Sequence, residues 1–254
     1  MIDIAIDAAK EAGKIQREYL TKKKNIYYKG KIDLVTDIDR LCEKIIIERI
    51  RSKFPDHGVL AEESPPRPYS SHYKWIIDPL DGTTNYAHGY PCFCTSIALE
   101  KDEEIIHGIV YDPMRDELFS GERGKGATLN GNPIHVSPIS ELDKSLLVTG
   151  FPYDIEKKSH QNLNHFKKFL FKAQGIRRDG SAALNLCYVA AGRFDGFWES
   201  TLHPWDMAAG SLIVTEAGGM LSSYTAGSFS IYAQEIVASN GHIHAQMLGI
   251  LSAQ

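Results

Sequence analysis

Apolar residues recur at helical spacing in two segments near the start of the chain. Residues 1–20 place their apolar positions roughly on one face, and residues 38–46 repeat the pattern. This spacing predicts two amphipathic helices, the second of which ends before Pro55. The basic segment between the helices, YLTKKKNIYYKGK, is interpreted as a loop.

Shorter apolar runs separated by turn residues predict strands in the rest of the chain. In the first half they are VLAEES, KWIID, CFCTSIALE, IIHGIVYDP and ELFSGERG. The second half adds strands at LLVTGFP, RFDGFWES, GMLSSY and EIVASN, and helices at SAALNLCYVAAG and PWDMAAGSLIVTEAGG. Helices that alternate with mostly antiparallel strands indicate a layered α+β or α/β sandwich. Because no repeat or linker divides the chain, we expect one domain over residues 1–254, with tightly joined halves at roughly 1–140 and 141–254.

The composition is that of an ordinary globular protein and narrows the function. The 254 residues carry a formal net charge of −4, which offers no basic surface for nucleic acid. No apolar run approaches the ~20 residues that a membrane-spanning helix needs, and the acidic N-terminus does not resemble a secretory signal. The four cysteines lack zinc-site spacing and are interpreted as reduced, buried thiols. We therefore expect a cytoplasmic protein that binds neither nucleic acid nor membrane.

Acidic residues stand at the ends of four apolar elements. They are Asp39 in T-D-I-D, Glu62 with Glu63, Asp78 with Asp81, and Asp206. Thr36 and Asp39 fit a helix capping box, so capping and catalysis both stay open for Asp39. Taken alone, Glu62 is best interpreted as part of a solvated turn and Asp206 as a helix cap.

The pair Asp78 and Asp81, in WIIDPLDGTTN, is harder to explain structurally. Asp78 follows an apolar strand, where an unpaired charge is costly to bury. A hard divalent cation would offset that cost, and Mg²⁺ binds carboxylate and carbonyl oxygens while keeping waters for a phosphate substrate. After Asp81, Gly82-Thr83-Thr84 can begin a short helix whose N–H groups face an anion. The stretch therefore indicates metal-assisted hydrolysis of a phosphate ester.

Two phosphatase mechanisms compete for such a motif. In D-x-D-G-T the first aspartate is the nucleophile, and two acids with one residue between them on a strand face the same way. Here the spacing is D-x-x-D, which a straight strand would point to opposite faces. A turn after Pro79 can bring the acids together and free the Leu80 carbonyl as a ligand. The spacing therefore favours direct attack by a metal-activated water over an aspartyl-phosphate.

These motifs resemble those of the inositol monophosphatase family, Mg²⁺-dependent and lithium-sensitive phosphatases related to fructose-1,6-bisphosphatase. W-I-I-D-P-L-D-G-T-T-N matches the first family signature, and P-W-D-M-A-A-G-S-L-I-V-T-E-A-G-G matches the second. D-L-V-T-D-I-D, A-E-E-S, N-G-N-P-I and G-S-A-A-L-N fall around them in family order, so the resemblance covers essentially the whole chain. It implies an αβαβα sandwich, usually a homodimer, that uses two to three Mg²⁺ ions, for which Mn²⁺ can substitute.

The resemblance also implies roles for individual residues in metal binding and catalysis. A first Mg²⁺ would be held by Glu62, Asp78 and the Leu80 carbonyl. A second would be held by Asp78, Asp81 and Asp206, and Glu62 with waters would support a third. Thr83 and Asp39 would orient and help deprotonate the attacking water, with Glu62 as a further catalytic group. Asp33 would stand in the outer shell near the third ion.

The substrate contacts implied by the resemblance come from both halves of the chain. The phosphate would be bound by Asp81, Gly82 and Thr83. The sugar or polyol would be contacted by Gly180, Ser181, Ala182, Glu199, Asp206 and Arg177.

Two features leave the substrate open. Animal relatives have a lysine five residues before the aspartate of D-L-V-T, whereas here that place is Tyr28, with Lys29 and Lys31 close by. This basic loop either closes over the site or is a solvated surface. Arg177 and Arg178 either serve a second phosphate or form an exposed strand end.

Inositol 1-phosphate is the expected substrate, with inositol and phosphate as products. A fructose-1,6-bisphosphatase, or an enzyme with both activities, is the alternative. A non-enzymatic alternative is binding to the transcription machinery, as some bacterial members of the family do. Neither the acidic net charge nor the complete set of ligand acids favours that role.

Overall fold

The computed structural model describes residues 1–22, 25–28, 34–66, 68–151 and 160–252. The helices in these ranges are α1 (Ile2–Tyr19), α2 (Asp37–Arg51), α3 (Thr83–Ala87), α4 (His160–Leu170), α5 (Ala182–Ala190), α6 (Pro204–Glu216) and α7 (His244–Leu251). The strands of the first half are β1 (Ile26–Tyr28), β2 (Leu34–Thr36), β3 (Gly58–Ala61), β4 (Tyr73–Asp81), β5 (Cys94–Lys101), β6 (Glu104–Asp112), β7 (Glu117–Glu122), β8 (Gly126–Leu129) and β9 (Asn132–Pro133). Those of the second half are β10 (Leu146–Thr149), β11 (Gly175–Arg177), β12 (Gly196–Ser200), β13 (Met220–Ser222) and β14 (Glu235–Ser239).

The strands form two main sheets. A seven-stranded sheet follows chain order from β3 to β9, and only its first pair, β3 with β4, is parallel. A five-stranded sheet has the order β11-β10-β12-β14-β13. Its strand β10 is parallel to both neighbours, whereas β14 is antiparallel to β12 and β13.

Side-chain alternation along β4 shows how the layers form. Trp75 and Ile77 pack against α1 and α2, whereas Ile76 between them packs against α5 and α6. Both faces of this strand are therefore covered, which explains its continuous apolar sequence. In the second sheet, Phe197 faces the same helices α5 and α6, and Trp198 faces α4 and α7. The order is helices, sheet, helices, sheet, helices, which confirms the predicted αβαβα sandwich.

Strand β1 departs from the sequence prediction, whereas the state of the cysteines agrees with it. The segment YLTKKKNIYYKGK was interpreted as a loop, but Ile26–Tyr28 is a strand that pairs with Leu34–Thr36. The prediction was wrong there because β1 is only three residues long and its pattern is masked by the flanking lysines. The four cysteines are free and buried, as predicted. Within the described ranges, no helix is both long enough and apolar enough to span a bilayer.

Candidate active site

A β-bulge in β4 brings Asp78 and Asp81 to one face of the large sheet. Asp78 lies opposite Ser96 of β5, and Asp81 lies opposite Cys94, so an extra residue is accommodated on β4. Cross-strand partners share a face, and positions 94 and 96 are two residues apart, so both acids point the same way. The expected turn after Pro79 is therefore wrong in form, because the strand continues to Asp81. Its consequence, the convergence of the acids, is what the structure shows.

The side chain of Asp78 is buried and is hydrogen-bonded to the backbone two residues further along its own strand. Its side chain is only 2% exposed, and its Oδ1 accepts a hydrogen bond of 2.9 Å from the Leu80 N–H. Burial raises the pKa of Asp78 well above its ordinary value, and repulsion from Glu62, Asp81 and Asp206 raises it further. These four carboxylates therefore interact electrostatically, although they come from three separate segments of the sequence.

Asp81 connects the two halves of the chain. Its Oδ2 accepts hydrogen bonds of 2.7 Å from the Ser181 hydroxyl and of 2.7 Å from the Ala183 N–H, at the start of α5. Burial raises the pKa of Asp81, while the bonds from Ser181, Ala183 and Ala182 lower it. Ser181 is the N-cap of α5 and is 1% exposed, so its hydroxyl is used inside the protein. The structure thus places Ser181 and Ala182 beside Asp81 rather than on an open surface.

Asp206 is the third residue of α6 and does take part in capping it, as predicted, but from within the helix rather than as the N-cap. The N-cap is His203, whose N–H donates 2.7 Å to Asp206 Oδ2 in a capping box. Burial raises the pKa of the half-buried Asp206, and repulsion from Asp81, Glu62 and Glu199 adds to the effect.

Glu62 follows β3 directly, and its N–H donates 3.2 Å to the Ile77 carbonyl of β4. The next two residues are fastened to helix α2. The Glu63 N–H donates 2.7 Å to Glu43 Oε2, and the Ser64 hydroxyl donates to Glu43 Oε1. Glu43 is 2% exposed and stands one turn after Asp39, so α2 fixes the segment that carries Glu62. The sequence pattern gave no reason to single out Glu43.

Gly82 begins the short helix α3, as predicted from G-T-T-N. Its φ of +98° lies in the left-handed region, and a Cβ there would come within 2.8 Å of the Cys92 carbonyl. Glycine is therefore required, both by conformation and by space. The first N–H groups of a helix have no partner within it, so Gly82 and Thr83 offer donors beside Asp81.

Thr83 joins α3 to helix α2. Its hydroxyl lies 2.9 Å from Asp39 Oδ1 and 3.0 Å from the Leu80 carbonyl. The second oxygen of Asp39 accepts bonds from the N–H (2.9 Å) and hydroxyl (2.5 Å) of Thr36, which completes the predicted capping box. Burial raises the pKa of Asp39 to about 7, against the effect of the bonds from Thr36 and Thr83.

Glu199 lies on β12 and faces the same region. Burial raises its pKa to about 8, repulsion from Asp81 adds to this, and the positive charge of Arg178 opposes it. A Cβ at Gly150 would lie 2.1 Å from each carboxylate oxygen of Glu199, so the carboxylate packs directly on the Gly150 backbone. Gly180 is close to Asn85 of α3, which donates 2.7 Å to the Asp179 carbonyl.

Arg177 and Arg178 have different surroundings in the structure. Arg177 is exposed and donates 3.1 Å to the carbonyl of Ile176 in its own strand. Arg178 is also exposed, but it is the arginine whose charge acts on Glu199. Of the two arginines, Arg178 is therefore the one that acts electrostatically on Glu199. Asp33, Lys29 and Lys31 lie outside the described residues, and Tyr28 ends β1.

The donor set fits a hard divalent cation. Within the described ranges, no three His, Cys, Asp or Glu side chains converge closely enough to form a finished metal site. Repulsion from Glu62 and Asp81 nevertheless raises the pKa of both Asp78 and Asp206. Repulsion keeps such acids apart, and a cation would reverse it. All-oxygen donors of this kind suit Mg²⁺, Mn²⁺ or Ca²⁺.

Comparison with known proteins gives one consistent result. The model of the inositol monophosphatase family matches residues 1–254. An inositol-1-monophosphatase of Synechocystis sp. is 46% identical over 254 residues, which cover 99% of this chain and 88% of the relative. The protein named Nus factor SuhB of Escherichia coli is 43% identical, covering 98% of this chain and 94% of the relative.

The fold comparison agrees with the sequence comparison. The crystal structure of inositol monophosphatase from Anabaena superposes with a TM-score of 0.90 at 45% identity, covering 98% of this chain and 94% of the other. Family, relatives and fold identify a phosphatase, that is, a phosphoric monoester hydrolase. This chain belongs to the inositol monophosphatase family.

Proposed function

We propose that this enzyme hydrolyses inositol 1-phosphate to inositol and phosphate with the help of Mg²⁺. The observation that carries the proposal is the convergence of buried acids on the start of α3. Asp78 and Asp81 share one face through the bulge, and Thr83 of α3 is hydrogen-bonded to Asp39. The relative from Synechocystis, 46% identical, is named for hydrolysis of inositol 1-phosphate, which supports this choice of substrate.

The metal ligands would be those that the family resemblance implies. Glu62, Asp78 and the Leu80 carbonyl would hold one ion, and Asp78, Asp81 and Asp206 another. A third ion would be supported by Glu62, and Mn²⁺ would substitute for Mg²⁺. The bound ions would neutralise the phosphate oxygens and lower the pKa of the attacking water. The raised pKa of Asp78 and Asp206 supports this assignment, because these acids need a cation to be stable in their charged form.

Proton handling falls to Thr83 and Asp39. When the Thr83 hydroxyl donates to Asp39, its oxygen is free to accept a hydrogen bond from water. Asp39, with a pKa of about 7, is suited to take up a proton near neutral pH. The N–H groups of Gly82 and Thr83 would bind the phosphate oxygens at the same helix start.

Substrate orientation would come from the second half of the chain. Glu199 is buried against Gly150 near Asp81 and Asp206, where a carboxyl group can bind a hydroxyl of the polyol. Direct attack by water is favoured over an aspartyl-phosphate by the D-x-x-D spacing, which leaves the Leu80 carbonyl between the two acids as a candidate metal ligand. The family resemblance also predicts inhibition by Li⁺, a homodimer and a cytoplasmic location.

The decisive test is a phosphate-release assay with purified enzyme. The panel comprises inositol 1-phosphate, fructose-1,6-bisphosphate, glycerol 2-phosphate and adenosine 3′,5′-bisphosphate, each with Mg²⁺ and with EDTA. We expect the highest kcat/KM for inositol 1-phosphate and no activity in EDTA. Full turnover in EDTA would refute the metal role, and a preference for fructose-1,6-bisphosphate would replace the proposed substrate.

Binding to the transcription machinery is a second candidate, supported by the relative named Nus factor. A pull-down from cell extract with an inactive variant separates this role from catalysis. Recovery of RNA polymerase subunits by both the parent and the inactive variant would support it.

A further inference from the structure

Gln16 is a buried polar residue on the apolar face of α1. Its neighbours on this face are small alanines, and its own side chain has no exposed surface. The amide Nε2 donates 2.7 Å to the Pro79 carbonyl and 2.9 Å to the Thr95 hydroxyl. Because a carbonyl only accepts, the contact with Pro79 also fixes which end of the Gln16 amide is nitrogen.

The Pro79 carbonyl is thereby held by two donors. The Thr95 hydroxyl donates to it at 3.1 Å, in addition to Gln16. Pro79 lies inside the bulge between Asp78 and Asp81. The next carbonyl, that of Leu80, lies instead 3.0 Å from the hydroxyl of Thr83, whose single proton is shared between this carbonyl and Asp39. The carbonyls of Pro79 and Leu80 therefore lie against different side chains, which gives the bulge one defined backbone conformation.

Gln16 makes a second connection through its backbone. The Tyr86 hydroxyl of α3 donates 2.9 Å to the Gln16 carbonyl, and Tyr86 is fully buried against Phe93. One residue of α1 therefore fixes both ends of the segment from Pro79 to Tyr86. The Leu80 carbonyl and the first N–H groups of α3 lie between these two fixed points.

This arrangement costs stability. Gln16 Oε1 is buried and, in the described part of the chain, has no hydrogen-bond partner. An unpaired buried acceptor is unfavourable, so a leucine would serve a purely structural purpose better. A polar side chain at this position is explained by what its nitrogen does for Pro79.

We propose that Gln16 is a positioning residue that aims the Leu80 carbonyl and thereby sets the affinity for the divalent cation. The inference rests on the proposed metal-dependent function. The hydrogen bonds of the Gln16 side chain go to Pro79 and Thr95, neither of which is among the proposed metal ligands, so Gln16 would act through them. Loss of outer contacts of this kind typically weakens metal binding by about 10- to 100-fold.

The test is calorimetric titration of Mn²⁺ and of Mg²⁺ into the parent and into Gln16→Leu. We expect the Kd for the metal to rise roughly tenfold or more in Gln16→Leu. With saturating Mg²⁺, kcat should stay close to that of the parent. Thr95→Val, which removes the second donor to Pro79, should shift the Kd in the same direction and provides a second variant should Gln16→Leu fold poorly.

Ser145→Ala is the matched control for Thr95→Val. Ser145 is equally buried and donates 2.6 Å to the Leu142 carbonyl, far from β4 in the sequence. Its variant should lose stability without a change in Kd. Lower melting temperatures with unchanged Kd in Gln16→Leu and Thr95→Val would overturn the inference and leave the proposed function intact. A parent that binds neither metal would overturn both.

Discussion

Thr83 and Asp39 are joined by a hydrogen bond of 2.9 Å between the threonine hydroxyl and one carboxylate oxygen, while the other oxygen caps helix α2. The Asp39 carboxylate thus bonds both the start of its own helix, α2, and Thr83 of α3, which is 44 residues further along the chain. The capping role and the role beside the site are not alternatives, because each uses a different oxygen. A substitution that preserves one and disturbs the other can measure them separately.

Asp39→Asn is such a substitution. The Thr36 N–H must donate, so the asparagine oxygen has to face it, and the NH₂ group then donates to Thr83. The Thr83 hydroxyl can still bond the Leu80 carbonyl but can no longer pass a proton to residue 39. We expect kcat to fall by roughly 10²-fold or more. The weakened cap should cost at most about 1 kcal/mol of stability, and in the metal-free protein at neutral pH the removal of a buried charge should offset that cost.

The measurements are kcat on inositol 1-phosphate and the melting temperature. Asp37→Asn is the control, since it removes a charge from the same first turn, and the Asp37 side chain is hydrogen-bonded to Asn25 rather than to Thr83. Parental kcat in Asp39→Asn would show that Asp39 is only a cap.

The pH dependence of stability without metal follows from the same residue. Asp39 has a pKa of about 7 in the folded protein, against an ordinary value of 3.8. A raised pKa contributes stability that is complete below about pH 4 and is lost as the pH rises through 7. In EDTA, the melting temperature of the parent should therefore decline relative to Asp39→Asn between pH 5 and pH 8. A constant difference between the two proteins over this range would contradict the expectation.

Gly150→Ala should displace Glu199. The new Cβ would lie 2.1 Å from the carboxylate oxygens, so the side chain has to move. We expect kcat/KM for inositol 1-phosphate to fall roughly 10- to 100-fold, as misplacement of an orienting group does. Hydrolysis of an aryl phosphate without polyol hydroxyls should fall much less. Gly249→Ala, where a Cβ meets no atom within 4 Å, is the control, and equal losses on both substrates would argue against a polyol contact.

Arg178→Ala and Arg177→Ala test the second phosphate. Arg178 acts on Glu199, whereas Arg177 bonds its own strand, so only Arg178→Ala should discriminate between substrates. If Arg178 binds the second phosphate, its loss should cost fructose-1,6-bisphosphate about 1.5–3 kcal/mol more than inositol 1-phosphate in kcat/KM. Parallel changes on both substrates would return Arg178 to a structural role.

Direct attack by water predicts that no phosphoryl group is transferred to the protein. Intact protein quenched in acid during turnover should show no added phosphate, and a chiral phosphate ester should react with inversion. Phosphate recovered on Asp78 would instead establish the aspartyl-phosphate mechanism.

Contacts between residues close together in the sequence were predictable, and contacts between distant residues were not. The capping box of Thr36 and Asp39 and the turn at Gly82 follow from residues within a few positions of each other. The contacts of Gln16 with Pro79 and of Glu43 with Glu63 span 63 and 20 residues, and no local pattern announces them. A glutamine among alanines on α1 was the one available signal. Pro79 indicated a break in the strand, but a residue without an N–H fits a turn and a bulge equally well.

The bulge makes the number of residues between Asp78 and Asp81 more important than the identity of Leu80. Exchanging Leu80 for another apolar residue keeps its backbone carbonyl, so point mutations here have graded effects. Deleting one residue would restore the plain pleat and the D-x-D spacing, and with it remove the extra carbonyl that the bulge places between the two acids. Inserting one would turn Asp81 away from Ser181 and α5. Exchange of Leu80 therefore leaves the ligand carbonyl in place, whereas passage between the two phosphatase spacings requires an insertion or deletion that abolishes the site in a single step.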